Sequence, residues 1–277
     1  MPELPEVESL RRILARSAVG RTIVSARIGK LPLRRKVVAD FSAQIIGRMI
    51  ERVSRRAKYL LIELSGDTII LAHLGMSGSI THRHGDFDAR EFDIKHDHLE
   101  FALDNGSRLV YNDPRRFGMM TVIRRDEIDE RVELRRIGPE PLSAAFNADY
   151  LANQARGKKV AIKNLIMDQR IVAGVGNIYA SEILFHARVR PTRRAGRVKR
   201  KEIDLIAAFT PKILRAAIGS GGTTFRSYRD SRGKPGAFSR RLMVYGREGK
   251  PCYECSTLIR NVVVGQRASF YCPKCQL

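Results

Sequence analysis

The chain has 277 residues, enough for two domains with a sizeable core, and its apolar fraction of 43 % is that of a folding sequence. Lys and Arg outnumber Asp and Glu by 51 to 29, a formal charge of +22, which is tolerated when the partner is a polyanion and makes nucleic acid the first expectation. No apolar run approaches the ~18 residues that span a bilayer, no basic helix with a bulky apolar face favours a membrane surface, and the start lacks a signal-peptide core, so a cytosolic, nucleoid-associated protein is expected.

In chain order, MPELPEVESLRR opens with two prolines and three glutamates in eight residues. Residues 4–19 read as a helix, with Val7, Leu10, Ile13 and Leu14 at helical spacing and Gly20 placed to end it. RTIVSARI, KYLLIELS, TIILAHLG, HLEFALDN, SRLVYND and MMTVIRR are short β-rich runs, punctuated by Ser-Gly-Asp at 65–67 and Asp-Asn-Gly at 104–106. Leu99, Phe101 and Leu103 alternate as one buried strand face requires. Residues 21–125 therefore predict a β-sandwich or barrel with the first helix packed on it.

GPEPLSAAFNADYL breaks both periodicities and is expected to be a joint. Beyond it the chain turns helical, through VAIKNLIMDQ, the turn AGVG, NIYASEILFHA with Asn177 as its N-cap, and IDLIAAFTPKILRAAIGS with Pro211 inside. Residues 187–201 carry eight basic side chains and no acid, and 219–249 read as a polar loop without its own core. The expected class is α+β with three parts: 1–138, 139–240 and 241–277.

All four cysteines lie from position 252 onward, against a disulfide framework. Cys252 with Cys255 and Cys272 with Cys275 form two C-x2-C knuckles sixteen residues apart, which supply a closed tetrahedral set for one structural zinc around a β-hairpin. AGVGNIY fails as a dinucleotide fingerprint, because a helix precedes it. As a helix–turn–helix it lets the backbone approach a phosphate. NDPRRFG places Phe117 among arginines, either as core or as a wedge into a base stack, and Met76 in HLGMSGS has the same two readings. His82, His84, His96 and His98 match no catalytic metal pattern and are expected to be solvated or on phosphate.

Together, MPELPEVE, KYL, HLGMSG, YNDPRRFG, GVGNIYASE, SGGTT and the C-x2-C-x16-C-x2-C tail with its Gly-Gln-Arg resemble the formamidopyrimidine-DNA glycosylases over essentially the full chain. Leu4 favours that branch over endonuclease VIII, and Asn164 stands where many members have Pro. The resemblance implies a β-sandwich domain, a helix–two-turns–helix domain and a β-hairpin zinc finger. It implies a monomer acting on double-stranded DNA that contains an oxidised base or abasic site. Pro2, once Met1 is trimmed, would be the nucleophile, Glu3 its acid–base partner, and Lys58 and Arg267 phosphate contacts that assist elimination. His96, Arg115, Lys158, Lys163 and Asn177 would contact phosphate, Glu6 would be a structural or relay acid, and Met76, Arg115 and Phe117 would fill the void left by the extruded base. The 219–240 loop would cap the lesion. A non-catalytic DNA binder, and a glycosylase for oxidised pyrimidines, are the alternatives.

Overall fold

A computed structural model describes residues 2–83, 95–223 and 237–277. By backbone proximity the chain forms two compact units, Met1–Arg135 with Ser220–Ser239, and Arg136–Gly219 with Arg240–Leu277. Residues 220–223 and 237–239 thus group with the first unit, and the cysteine-bearing tail groups with the helices.

The first unit begins with α1 (Leu4–Ser17), which carries Pro5 in its first turn, where a missing N–H costs nothing. Glu3 is the N-cap, and its amide donates to Glu6 Oε2 at 2.8 Å, so the N3 acid ties down the start of the helix. Val7, Leu10 and Leu14 form the buried stripe. They join one core with residues from two antiparallel sheets, among them Ile23, Ile62, Ile70, Leu99 and Phe101. One sheet has the order β1-β6-β7-β5, from β1 (Ile23–Ile28), β5 (Ser79–Arg83), β6 (Asp97–Leu103) and β7 (Arg108–Asn112). The other has the order β2-β3-β4-β8, from β2 (Ile50–Arg56), β3 (Tyr59–Leu64), β4 (Thr68–His73) and β8 (Met119–Arg124). The sandwich and both expected hairpin turns are therefore present.

Among the described residues of this unit, β2, β5 and a short helix α2 (Phe41–Ile45) escape the sequence pattern. In β2, IERVSRR, only Ile50 and Val53 are buried, and in β5, SITHR, Ile80 is the sole large apolar residue. Neither shows the alternation that marks a strand.

The second unit contains α3 (Ala148–Ala155), α4 (Ile162–Met167), α5 (Asn177–His186), α6 (Arg200–Gly219) and the hairpin β9 (Arg260–Val264) with β10 (Arg267–Tyr271). Helix α3 occupies the end of the expected joint, and the Asn147 side chain caps it by accepting from Tyr150 N at 2.9 Å. Helix α5 is buried on every side from Ile178 to Phe185, and its N-cap is Gly176, so Asn177 is the first helical residue rather than the cap. Helix α6 runs through Pro211.

Residues 240–249 of the expected polar loop are packed onto their neighbours. Leu242 and Val244 are buried, and Val244 packs with Phe185, Ile259, Cys252 and Cys272. The segment is held by Glu182 of α5, whose carboxylate accepts from Met243 N, Val244 N and Tyr245 N at 2.7, 3.0 and 2.9 Å. A polar stretch without a core of its own borrows one from its neighbours.

Candidate active site and nucleic-acid interface

Pro2, Glu3 and Glu6 lie buried together at the start of the chain. Glu6 accepts from Glu3 N through one oxygen and from Thr223 N through the other, at 2.7 Å. Gly222 has φ of +83°, and a Cβ there would sit 2.8 Å from Glu6 Oε1, so only glycine lets this segment close on the carboxylate. Glu6 thus acts as a structural acid, binding the leading residues to 222–223. The rest of the expected lesion-capping loop, 224–236, lies outside the described residues.

Lys58 sits in the two-residue turn between β2 and β3, behind Ala57 at φ of +51°, a left-handed conformation that is unusual for a side chain with a Cβ. Arg55 stabilises the turn by donating to Ala57 O at 2.8 Å, and Lys58 itself is 7 % exposed. Close by, the ring of His73 lies 4.8 Å from that of Tyr59, and His73 Nδ1 accepts from Gly75 N at 3.0 Å. That bond places the neutral ring's proton on Nε2. Burial, with the charges of Lys58 and Arg34, pushes the His73 pKa down to about 4, so at neutral pH it is an uncharged donor beside cations. Burial and the Glu133 carboxylate raise the Tyr59 pKa, and Glu133 is in turn paired with Arg35. Sequence reasoning named Lys58 alone. His73 opens the HLGMSG motif, so its signal was present, whereas Glu133 has no local pattern to mark it.

Met76, Arg115 and Phe117 come together on two apposed loops, 74–78 and 113–118. Phe117 and Met76 are 43 % and 39 % exposed, which rules out the core reading for both. The Arg115 guanidinium lies 5.0 Å from the Phe117 ring centroid. The loops approach so closely that a Cβ on Gly75 would be 2.4 Å from the Phe117 carbonyl carbon, and one on Gly118 would be 1.6 Å from the Tyr111 hydroxyl. Their organiser is Asp113, fully buried. It accepts from Ser77 Oγ at 2.6 Å, Gly118 N at 2.8 Å and Tyr111 OH at 3.3 Å. Ser77 Oγ also accepts from Arg115 N at 3.2 Å.

The histidines divide. His98 is buried, with Nε2 on Asp113 O at 2.9 Å, and half-buried His82 pairs with Ser107 Oγ at 3.0 Å, so both serve the fold rather than solvent or phosphate. His96 is half-buried, and its carbonyl accepts from Asp113 N at 3.0 Å. His84 lies outside the described residues.

In the second unit Lys163 is fully buried. Its Nζ donates to Asn177 Oδ1 at 2.5 Å, Ser269 Oγ at 2.5 Å and Ala268 O at 3.1 Å. Asn177 Nδ2 donates to the same carbonyl at 3.0 Å. The expected direct phosphate contact at Lys163 is thus placed differently: its three donors hold the hairpin and Asn177. Gly265 and Gln266, both at positive φ, form the hairpin turn, and the Asn164 side chain fills the space where a Gly265 Cβ would stand. Exposed Arg267 follows immediately. Lys158 is exposed on the turn after α3, where its amide donates to Ala155 O at 3.0 Å.

The four cysteine sulfurs lie within 4.8 Å of one another. The Cys255–Cys272 and Cys252–Cys275 separations are 3.4 and 4.0 Å, against about 3.8 Å for the edge of a tetrahedron with ~2.3 Å zinc–sulfur bonds. Cys275 N points at Cys272 Sγ at 3.4 Å, and Glu254 N at Cys252 Sγ at 3.5 Å. The Gln276 side chain accepts from Cys272 N and donates to Val189 O, each at 2.9 Å. This donor set fits one structural zinc ion.

Three family models match the chain: the formamidopyrimidine-DNA glycosylase N-terminal domain over residues 1–120, its H2TH domain over 137–229, and a zinc finger found in FPG and IleRS over 249–277. The formamidopyrimidine-DNA glycosylases of Syntrophotalea carbinolica and Pectobacterium atrosepticum are 45 % and 46 % identical, with 100 % of both chains covered. The MutM (Fpg) crystal structure from Thermus thermophilus matches with TM-score 0.88 at 38 % identity, covering 99 % of this chain and 98 % of that one. Lactococcus lactis Fpg, solved with DNA containing an abasic site, matches with TM-score 0.89 at 32 % identity, covering 99 % of each chain.

Proposed function

The chain belongs to the formamidopyrimidine-DNA glycosylase family of base-excision repair, and we propose that it releases oxidised purines through its leading proline and then cleaves the strand. The observation that carries this reading is the construction of the chain's start. Pro2 and Glu3 are buried at the head of α1, and the Glu3 amide is fixed by Glu6. A nucleophile and an acid are thus adjacent on a rigid element.

Once Met1 is removed, Pro2 carries a free secondary amine. An α-amine has a pKa near ~8, so at pH 7 roughly a tenth is already neutral and nucleophilic. Attack on C1′ forms the N–C bond as the glycosidic bond breaks, and the base leaves with its electron pair. Glu3 protonates the ring oxygen as the sugar opens. The resulting iminium draws electrons from C2′, so a proton is lost there and the 3′ phosphate departs. A second elimination expels the 5′ phosphate. Lys58, a buried cation beside neutral His73, supplies positive charge to a phosphate near the lesion. Exposed Arg267 does so from the zinc hairpin, which Lys163 and Asn177 hold in place.

Extruding the base costs a few kcal/mol, and the exposed side chains of Met76, Arg115 and Phe117 fill the gap it leaves. His96, Lys158 and Asn177 complete the phosphate contacts. The zinc ion supplies rigidity and no open coordination position. The protein works as a monomer on duplex DNA in the bacterial cytoplasm.

The test is Pro2→Gly, which keeps a primary amine. Strand cleavage at abasic sites should persist, while base release from 8-oxoguanine duplex should fall by at least tenfold. Parental rates of base release would overturn the assignment of the nucleophile. Faster cleavage of thymine glycol than of 8-oxoguanine by the parent would overturn the substrate class.

A further inference from the structure

The second unit carries a cationic surface of which the proposed function uses Lys158 alone. The turn after α3 and the segment leading into α6 are joined through their backbones. Ile162 N donates to Arg193 O at 2.7 Å, Ala195 N to Val160 O at 2.8 Å, and Gly196 N to Lys158 O at 2.9 Å. Gly196 permits this closeness, since a Cβ there would stand 3.1 Å from both Lys158 N and Lys158 O. Residues 158–162 and 193–196, distant in sequence, therefore lie side by side, and the basic run 197–201 continues directly from the second.

Arg156, Lys158, Lys159, Arg194, Arg197, Lys199 and Lys201 are all exposed on or beside these stretches. The acids around them are occupied. Glu202 pairs with Arg193, while Asp149 and Asp204 pair with Arg200. Asp168, which lies near Lys158, is paired with Arg170. Folding alone disfavours this arrangement. Like charges are crowded onto adjoining loops, and Lys199 and Lys201 flank the start of α6, where the helix dipole prefers anions.

We propose that the paired loops 156–160 and 193–201 form a phosphate-backbone tract that grips undamaged duplex DNA. The proposal rests on the DNA-repair reading and extends it beyond the reacting nucleotide. A duplex is the fitting polyanion because the tract holds no aromatic residue on which unpaired bases could stack. A lipid surface fits less well, since Val160 is the tract's one exposed large apolar side chain. A tract of this kind lets the protein hold and scan intact DNA while no lesion is engaged.

The experiment compares the zinc-loaded parent with R194Q/R197Q/K199Q/K201Q, binding to an undamaged fluorescent duplex between 50 and 200 mM salt. The logarithm of affinity against that of salt should be shallower in the variant by up to about 3.6, at about 0.9 per lost contact. Over that range the parent should then lose on the order of 10²-fold more affinity than the variant. The charge-keeping variant R194K/R197K/K199R/K201R should restore the parental slope. Parallel lines for parent and glutamine variant, with the parent binding well, would overturn this proposal and leave the glycosylase reading standing. A parent that binds no duplex would overturn both. A slope difference seen only with single-stranded RNA would overturn the assignment of the partner.

Discussion

Two regions of the molecule solve one problem with opposite charges. In the first unit, the buried carboxylate of Asp113 collects donors from Ser77, Tyr111 and Gly118 and so shapes the loops that expose Met76, Arg115 and Phe117. In the second, the buried ammonium of Lys163 collects acceptors from Asn177, Ala268 and Ser269 and so sets the hairpin that exposes Arg267. In each, the group expected to touch DNA is exposed and the group that fixes it is not. The difference lies in what remains when the hub is removed. Asp113 serves donors on closely apposed loops, one of them a backbone amide. Lys163 serves a carbonyl that keeps a second donor in Asn177 and belongs to exposed Ala268.

Removing the hubs tests that contrast most strongly. Asp113→Ala leaves three donors without their carboxylate, each worth about 1–3 kcal/mol, so a loss of about 4 kcal/mol is expected in urea unfolding. A loss below about 1 kcal/mol would show that the loops hold themselves. His73, whose carbonyl oxygen would lie 2.9 Å from a Gly118 Cβ, adds a pH signature to the same region. Its pKa is near 6.5 unfolded and about 4 folded, so as pH falls the unfolded chain takes the proton first. Its contribution is complete above pH 6.5, is lost between pH 6.5 and 4, and is constant below, a change of about 3 kcal/mol. His73→Gln should flatten that part of the stability profile, and an unchanged profile would place the titration elsewhere.

Lys163→Met should cost less, about 2 kcal/mol, because it also relieves the burial of a charge. Its larger consequence is a misplaced Arg267, read as weaker binding to abasic-site duplex with zinc content intact. Equal stability losses for Asp113→Ala and Lys163→Met would erase the contrast. The smallest effect is expected from Arg115→Ala. Its exposed contact with Phe117 is worth about 0.5–1 kcal/mol, so melting should barely move while base extrusion, followed by 2-aminopurine fluorescence beside the lesion, slows.

The sequence shows the exposed half of these devices more clearly than the buried half. Met76, Arg115 and Phe117 stand out by residue type and setting, and so do the zinc knuckles and the proline near the chain's start, although Pro2, Cys252 and Cys272 are buried. The sandwich is marked too, through alternating strands such as the one bearing Leu99, Phe101 and Leu103. The resemblance implies a phosphate contact at Lys163, and nothing local in the sequence distinguishes a lysine that faces solvent from one that faces Ala268 O. The Glu182 carboxylate binds amides 61 to 63 residues away and gives no periodic signal. Strands β2 and β5 hide because charged or short segments lack alternation, and their pairing is decided by the sheets they join.

Covalent capture at the leading proline tests the central claim most directly. The trimmed protein is mixed with 8-oxoguanine duplex, reduced with borohydride during turnover, digested and weighed by mass spectrometry. The expected product is a deoxyribose–DNA adduct confined to the peptide that begins at Pro2, with no adduct on protein that retains Met1. An adduct on Lys58 or another lysine, or base release without any adduct, would contradict it.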